Sequence, residues 1–407
     1  MLTLEEALTR LLRAVRPLPE VERLATFDAL GRVLAEGVSS LLDVPPADNT
    51  SMDGYALRAA DVPAPGTVLP VSQRIPAGAV GTPLAPGSAA RIFTGAQIPA
   101  GADAVVMQEQ CQAQADGSVR IDATPEPGQW VRRQGEDVRR GSVVLPAGTR
   151  LTPQALGLAA SVGAATLAVA RRPRVALFST GDELVMPGQP LRPGAIYNSN
   201  RYTLRGLLQA FGCECADLGI VPDTLAATRD ALRRAADQSD LIVTSGGVSV
   251  GEEDHLRPAV QAEGRLDLWQ VAIKPGKPLA FGEVRRGAAS TGSAWFVGLP
   301  GNPVSSFVTF LLAVRPLLLR LQGAPVAPEL PSALVVRAGF DWPRPDRRRE
   351  FVRVRRNGEG ALELFANQSS AVLTSAVWGD GVVDIAPGQT IRRGDGVRYL
   401  SFADLLS

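Results

Sequence analysis

From Met1 to Arg16, Leu2, Leu4, Leu8, Leu11 and Leu12 recur at helical spacing around Glu5 and Glu6. This predicts an amphipathic helix rather than a charged-then-apolar secretory leader. Up to about Pro173 the chain is then punctuated by proline and glycine. Short apolar runs such as Ala104 to Met107 and Val143 to Leu145 sit between turns at Pro99-Ala100-Gly101 and Pro146-Ala147-Gly148, the texture of a β-rich region with few long helices. Leu151 to Ala170 carries no charge and is long enough to raise a membrane span. Pro153, Gln154, two glycines and many alanines keep its hydropathy modest, so a buried helix followed by a short strand is expected.

After Pro173 the periodicity changes. Val175 to Phe178 and Ala216 to Val221 are continuous apolar runs, and Arg201 to Phe211 between them has helical spacing behind Asn198-Ser199-Asn200. A helix over Leu225 to Ala236, a buried strand at Leu241 to Val243, a glycine-rich turn and a helix after Asp254 follow. Strands are then expected near Leu268 to Ile273, Leu279 to Val284 and Trp295 to Val297, and a long helix over Val304 to Leu321 that contains Pro316. Such repeated units imply a mostly parallel sheet with helices on both faces. Gly323 to Pro331 is a proline-rich linker. Beyond it, Glu350 to Val354 and Leu362 to Phe365, with turns at Asn357-Gly358 and Pro387-Gly388, predict a small β-barrel or sandwich.

At 407 residues the chain holds two to four domains on a prior of about 150 residues each. Lys+Arg 42 against Asp+Glu 41 leaves a formal charge of +1, so no whole-chain field draws the protein to nucleic acid or to a membrane. Aromatic residues are 5%, too sparse for single-strand stacking platforms. Cys111, Cys213 and Cys215 are an odd set that fits a reducing compartment, and the cytoplasm is expected. His255 is the sole histidine, which removes Ser-His-Asp catalysis and histidine-based metal chemistry.

Ligands of such sheets bind beyond the carboxyl ends of the strands. The residues there are Ser179-Thr180-Gly181-Asp182-Glu183, Thr244 to Asp254 with Gly246, Gly247 and Ser249, Lys274-Pro275-Gly276-Lys277-Pro278, and Gly298 to Ser305 with Pro300, Gly301, Asn302 and Pro303. Together they supply backbone amides, hydroxyls, carboxylates and two ammonium groups suited to an anionic ligand and a hard cation. A Walker loop and a well-placed Gly-x-Gly-x-x-Gly are both missing from the sequence. Eight arginines against three acids between Arg337 and Arg356 read as a solvated or substrate-facing stripe.

Asp48 to Ala56, Thr94-Gly95-Ala96 through Asp103, Gly135-Glu136-Asp137, Ser179 to Leu184, Tyr197 to Asn200, Gly246 to Ser249, Lys274 to Pro278 and Leu299 to Ser305 together resemble the MoeA family of molybdopterin molybdenumtransferases, also found as the E domain of gephyrin. The likeness runs in order from about residue 4 to residue 390. It implies an α/β plus β multidomain fold: a discontinuous linking domain (1–26, 45–53 and 147–172), a β-rich domain (27–44 and 54–146), a three-layer, MogA-like molybdopterin-binding α/β domain (173–325) and a C-terminal β-barrel (326–407). It implies insertion of molybdenum from molybdate into adenylylated molybdopterin with release of AMP, assisted by Mg²⁺, in a homodimer whose N-terminal motifs face the partner's α/β pocket. Further protein partners would be a molybdopterin adenylyltransferase and molybdoenzyme-maturation factors.

By the same resemblance the acidic site residues fall on Asp53, Asp137, Glu183, Asp223 and Asp254, with Glu183, Asp223 and Asp254 toward the cation. The hydroxyls fall on Thr94 and Ser370, and the lysine on Lys274. Gln270 stands where relatives often carry a lysine, and Ser369 where glycine is common. On one unbroken strand Gln270 and Lys274 would share a face. Two other readings stand beside this one: an adenylyltransferase acting on molybdopterin, disfavoured by the motifs before Pro173, and a protein-binding scaffold.

Overall fold

The computed structural model describes residues 1–248, 255–287 and 292–406. The first helix, Leu4–Ala14, starts on a capping box in which the Thr3 hydroxyl accepts from the Glu6 amide and the Glu6 carboxylate accepts from the Thr3 amide. Its buried face, Leu4, Ala7, Leu8, Leu11 and Leu12, packs into the largest core of the molecule together with Phe310, Leu317 and Phe351. An extended strand, Val21–Ala25, then pairs antiparallel with Thr166–Ala170, so two stretches far apart in sequence build one unit. The uncharged stretch around it folds as expected, with the helix Pro153–Ser161 capped by Thr152.

The stretch from Ala29 to Val38, expected in the β-rich unit, packs instead with these linking segments. Ala29 and Leu34 share a core with Leu151, Ala159, Leu167 and Val169, and Val38–Ser39 pairs with Val143–Leu145. Its apolar side chains find an unfilled face there, since the β-rich sheet is completed by Gly54–Leu57, Thr67–Ile75, Ala89–Ile92, Ala104–Met107, Cys111–Ala113 and Ser118–Ile121.

The α/β sheet runs Glu214–Val221, Arg174–Thr180, Leu241–Ser245, Ser293–Leu299, Pro278–Arg285, Gly264–Gln270. The first four strands are parallel, and the pairings of Pro278–Arg285 to both its neighbours are antiparallel. The strand expected through Ile273 is in fact divided. Gly264–Gln270 ends in this sheet, and Ile273–Lys274 pairs with Arg349–Arg356 of the C-terminal sheet, so Gln270 and Lys274 lie on different strands and share no face by alternation. The long helix that follows the sheet spans Pro303–Leu321 and is 83% buried in its most apolar stretch, which makes it a core helix despite a length that could cross a membrane. A π-turn at Phe310–Val314 lies just ahead of Pro316, whose missing amide proton would otherwise break the ladder. The C-terminal sheet orders Ile273–Lys274, Arg349–Arg356, Gly381–Ile385, Gly396–Ser401, Leu334–Arg337, with Leu362–Leu364 on Arg349–Arg356 and a bridge from Ala338 to Leu362 curling it toward closure.

Two substitutions test this architecture. A Cβ on Gly54 would lie 1.9 Å from the carbonyl oxygen of Val106, so Gly54→Ala must separate two paired strands and should lower the melting temperature of the β-rich unit by several degrees, read by thermal unfolding. Asp240 accepts from both Arg171 terminal nitrogens at 3.0 and 3.1 Å and from the Arg174 amide at 2.8 Å, tying the linking strand to the sheet. Asp240→Ala removes the nearer of the two carboxylates on Arg171, leaving Glu20 at 3.4 Å, and should destabilise by about 2 kcal/mol, measured by denaturant titration of the full chain.

Candidate functional site

Thr180, Ser245, Leu299 and Gln270 end four strands of the α/β sheet, and the loops that follow them surround a cavity of 1080 Å³. Gly246 and Gly247 turn the backbone at φ +89° and +65°, where a side chain would be strained. A Cβ on Gly246 would also stand 2.9 Å from the Thr180 carbonyl oxygen. Gly276, at φ +108°, leaves room for the Thr309 hydroxyl, which a Cβ would meet at 2.3 Å. Pro303 opens the long helix at a position where its missing N–H is harmless, and the next amide, that of Val304, donates to the Ser370 carbonyl at 2.9 Å. The barrel loop thus seats directly on a helix N-terminus.

Of the expected site residues, Thr180, Glu183, Gly246, Gly247, Lys274, Lys277, Pro300, Gly301, Asn302, Pro303, Ser305 and Ser370 line this cavity. Ser179 lies beneath it, buried, with its hydroxyl 3.1 Å from that of Ser245. Asp182 is exposed beside the rim and Asp223 lies at the end of Glu214–Val221; neither lines the cavity. Asp53 and Thr94 meet one another in the β-rich unit, where Asp53 accepts from both the Thr94 amide and hydroxyl at 2.7 Å. Those bonds, the amide first, hold the Asp53 carboxyl below its usual range. Asp137 is exposed on a separate loop, and none of these three lines the cavity. Ser249 and Asp254 lie outside the described residues.

Lys274 is not a bare cation. Its ammonium stands 2.8 Å from Glu350, whose side chain is only 3% exposed, and 3.4 Å from Asp346. Asp346 also binds Arg348 through two nitrogens at 3.2 Å. Arg348, foremost, holds the Asp346 carboxyl well below the carboxylate range, while Glu350, foremost, raises the Lys274 ammonium above its ordinary value. Two cationic and two carboxylate side chains thus pair here. Lys277 carries no carboxylate partner among the described residues, and among them it brings the unpaired positive charge of this turn.

The barrel adds Arg348, Gln368, Ser369 and Ala371 to the lining, and the start of the helix Ser199–Ala210 with the two residues before it adds Tyr197, Asn198, Ser199 and Asn200. Sequence reasoning did not assign these positions a role. The run of arginines was the signal for Arg348, and the Tyr-Asn-Ser-Asn motif for the others. Among the described residues no three His, Cys, Asp or Glu side chains converge to hold a metal. Mg²⁺ binds through one or two carboxylates plus phosphate oxygens and water, so the single carboxylate of Glu183 at the cavity wall fits a cation delivered on a phosphorylated ligand.

Comparison with known proteins finds the MoeA N-terminal region (domain I and II) over residues 2–163, a probable molybdopterin binding domain over 176–320 and the MoeA C-terminal region (domain IV) over 335–402. A molybdopterin molybdenumtransferase of Haemophilus influenzae is 44% identical over 324 residues, 79% of this chain and 78% of its own. Molybdopterin molybdenumtransferase 2 of Mycobacterium tuberculosis is 37% identical over 94% of each chain. The crystal structure of a molybdopterin biosynthesis MoeA protein from Pyrococcus horikoshii superposes with a TM-score of 0.82 at 29% identity, covering 98% of this chain and 99% of its own. The chain therefore belongs to the MoeA family of molybdopterin molybdenumtransferases.

Proposed function

We propose that this enzyme inserts molybdenum from molybdate into adenylylated molybdopterin, releasing AMP. The observation that carries the reading is the cavity itself: backbone amides, hydroxyls and cationic side chains around a space large enough for a nucleotide-sized ligand, with no histidine or cysteine in its lining. The soft sulfur ligands molybdenum needs come from the substrate's dithiolene, so a protein site for molybdate has only to bind an oxyanion. Lys277, Arg348 and the hydroxyls of Ser305, Ser369 and Ser370 suit that task. Glu183 would hold Mg²⁺ together with the substrate phosphates, and Asp254 and Asp223 remain candidates beside it. When bound, the cation supplies charge neutralisation at the phosphoanhydride. The cationic and hydroxyl groups of the chain would hold the oxyanions in line and keep the leaving adenylate oriented.

Asp53, Thr94 and Asp137 act, in this reading, from the second subunit of a homodimer. Their distance from the cavity lining and the preorganised Asp53–Thr94 pair support it. Three free thiols support a cytoplasmic location, where an adenylyltransferase and maturation factors would be met.

Incubation of the purified protein with adenylylated molybdopterin, Mg²⁺ and molybdate should release AMP in step with formation of the metal-loaded cofactor; molybdate-independent AMP release with no loaded product would refute insertion. Lys277→Ala should weaken molybdate use at limiting molybdate by roughly 10- to 100-fold, since it removes a charge-assisted contact. Lys274→Ala should act differently: it takes the ammonium partner from the buried Glu350 and should therefore lower the melting temperature as well as activity, read by thermal unfolding. Sedimentation should show a dimer, and a fully active monomer would refute the role given to Asp53.

A further inference from the structure

The motif Tyr197 to Asn200 has so far been given no task, yet it holds the cavity's unfinished chemistry. Of the buried side-chain atoms with no hydrogen-bond partner among the described residues, those on Asn198 and Asn200 are the ones whose residues line the cavity. Asn198 is 2% exposed and Asn200 8%. Asn198 caps the helix Ser199–Ala210, its Oδ1 accepting from the Arg201 amide at 3.2 Å. That bond requires oxygen, so the idle atom is the Nδ2 donor. Asn200 donates Nδ2 to the Gly301 carbonyl at 2.7 Å, which fixes Oδ1 as the idle acceptor. A buried amide group is rarely left unsatisfied without a reason. Here one donor and one acceptor lie two residues apart at a helix start, on residues that line the ligand cavity.

We propose that Asn198 and Asn200 form a couple that reads the edge of an uncharged planar heterocycle on the substrate, an edge presenting one acceptor and one donor. The proposal rests on the reading of the cavity as the site of adenylylated molybdopterin, which carries two such edges, on adenine and on the pterin. Neither asparagine is charged, so the couple complements Lys277 and Arg348, which suit oxyanions. Tyr197, its hydroxyl tied to the Gln189 carbonyl at 3.1 Å, and the exposed Ile196 supply flat apolar neighbours for a ring face.

The test uses Asn198→Ser and Asn198→Asp. Both side chains can cap a helix, so the fold is kept, which thermal unfolding checks, while aspartate has no donor to offer and serine is too short to place its hydroxyl where Nδ2 stands. Wild type and variants are titrated by calorimetry with AMP, with 2-amino-4-oxopteridine and with ribose 5-phosphate, which has no heterocycle. The expected result is at least tenfold weaker binding of AMP or of the pteridine by Asn198→Ser, with ribose 5-phosphate binding unchanged. Loss confined to AMP assigns the adenine end, and loss confined to the pteridine assigns the pterin end. If Asn198→Ser binds both ligands like wild type, the couple has no such role and the proposal is overturned alone. If wild type binds none of the three, the reading of the cavity falls as well.

Discussion

The site depends on five residues, Gln270 to Lys274, in which three parts of the chain meet through backbone hydrogen bonds. The amide of Leu2 donates to the Gln270 carbonyl and the amide of Ala272 to the Leu2 carbonyl, both at 2.8 Å, while the Arg349 amide donates to Ala272 at 2.9 Å. Val271 and Ile273 are buried in the core that also holds Leu4, Phe351 and Leu400. Because ladder bonds fix register, this crossing sets Lys274 opposite Glu350 and brings Arg348 to the cavity wall. A slip of one residue would turn Lys274 into the core and Ile273 outward.

Behind the same wall lies Arg353, almost wholly buried and without a carboxylate among its hydrogen-bond partners. Its guanidinium donates to the Ser375 hydroxyl and the Phe351 and Ser369 carbonyls, and burial pushes its ionisation down to about 10. Gln368 adds two bonds to the backbone of the same residue. The loop carrying Ser369 and Ser370 is thereby held from behind, and the Val304 amide holds it from the front. Ser369 is anchored through its carbonyl.

Much of this was legible from local pattern. Continuous apolar runs marked Arg174–Thr180 and Leu241–Ser245, because a sheet covered on both faces needs no alternation, and the loops beyond them carry part of the cavity lining. What escaped was non-local. Val271 and Ile273 continue the apolar rhythm of Gly264–Gln270, so no nearby residue announces the change of sheet. Arg348 and Ser369 reach the cavity only through the pairing of Ile273–Lys274 with a strand more than seventy residues on. Asn198 was visible as a helix cap, and that role conceals its idle nitrogen, since sequence shows the oxygen's partner and not the space beside the other atom. The grouping of Ala29 to Val38 depends likewise on Thr166–Ala170, an interaction no window along the chain contains.

A wall assembled from two units gives the cavity a property that a pocket within one unit lacks. The α/β loops and the barrel loop both line it, and the covalent link between them beyond Leu321 is free of helix and strand up to Leu334. A ligand that touches both walls acts as a removable cross-link. Its binding free energy and the docking free energy of the barrel are thermodynamically linked, so each strengthens the other by the same factor. Changes far from any ligand atom, in the apolar packing of Phe351 or Leu400 against the long helix, therefore register as altered substrate affinity. The barrel's grip on the sheet is in that sense a part of the recognition energy, distributed over a core that no substrate touches.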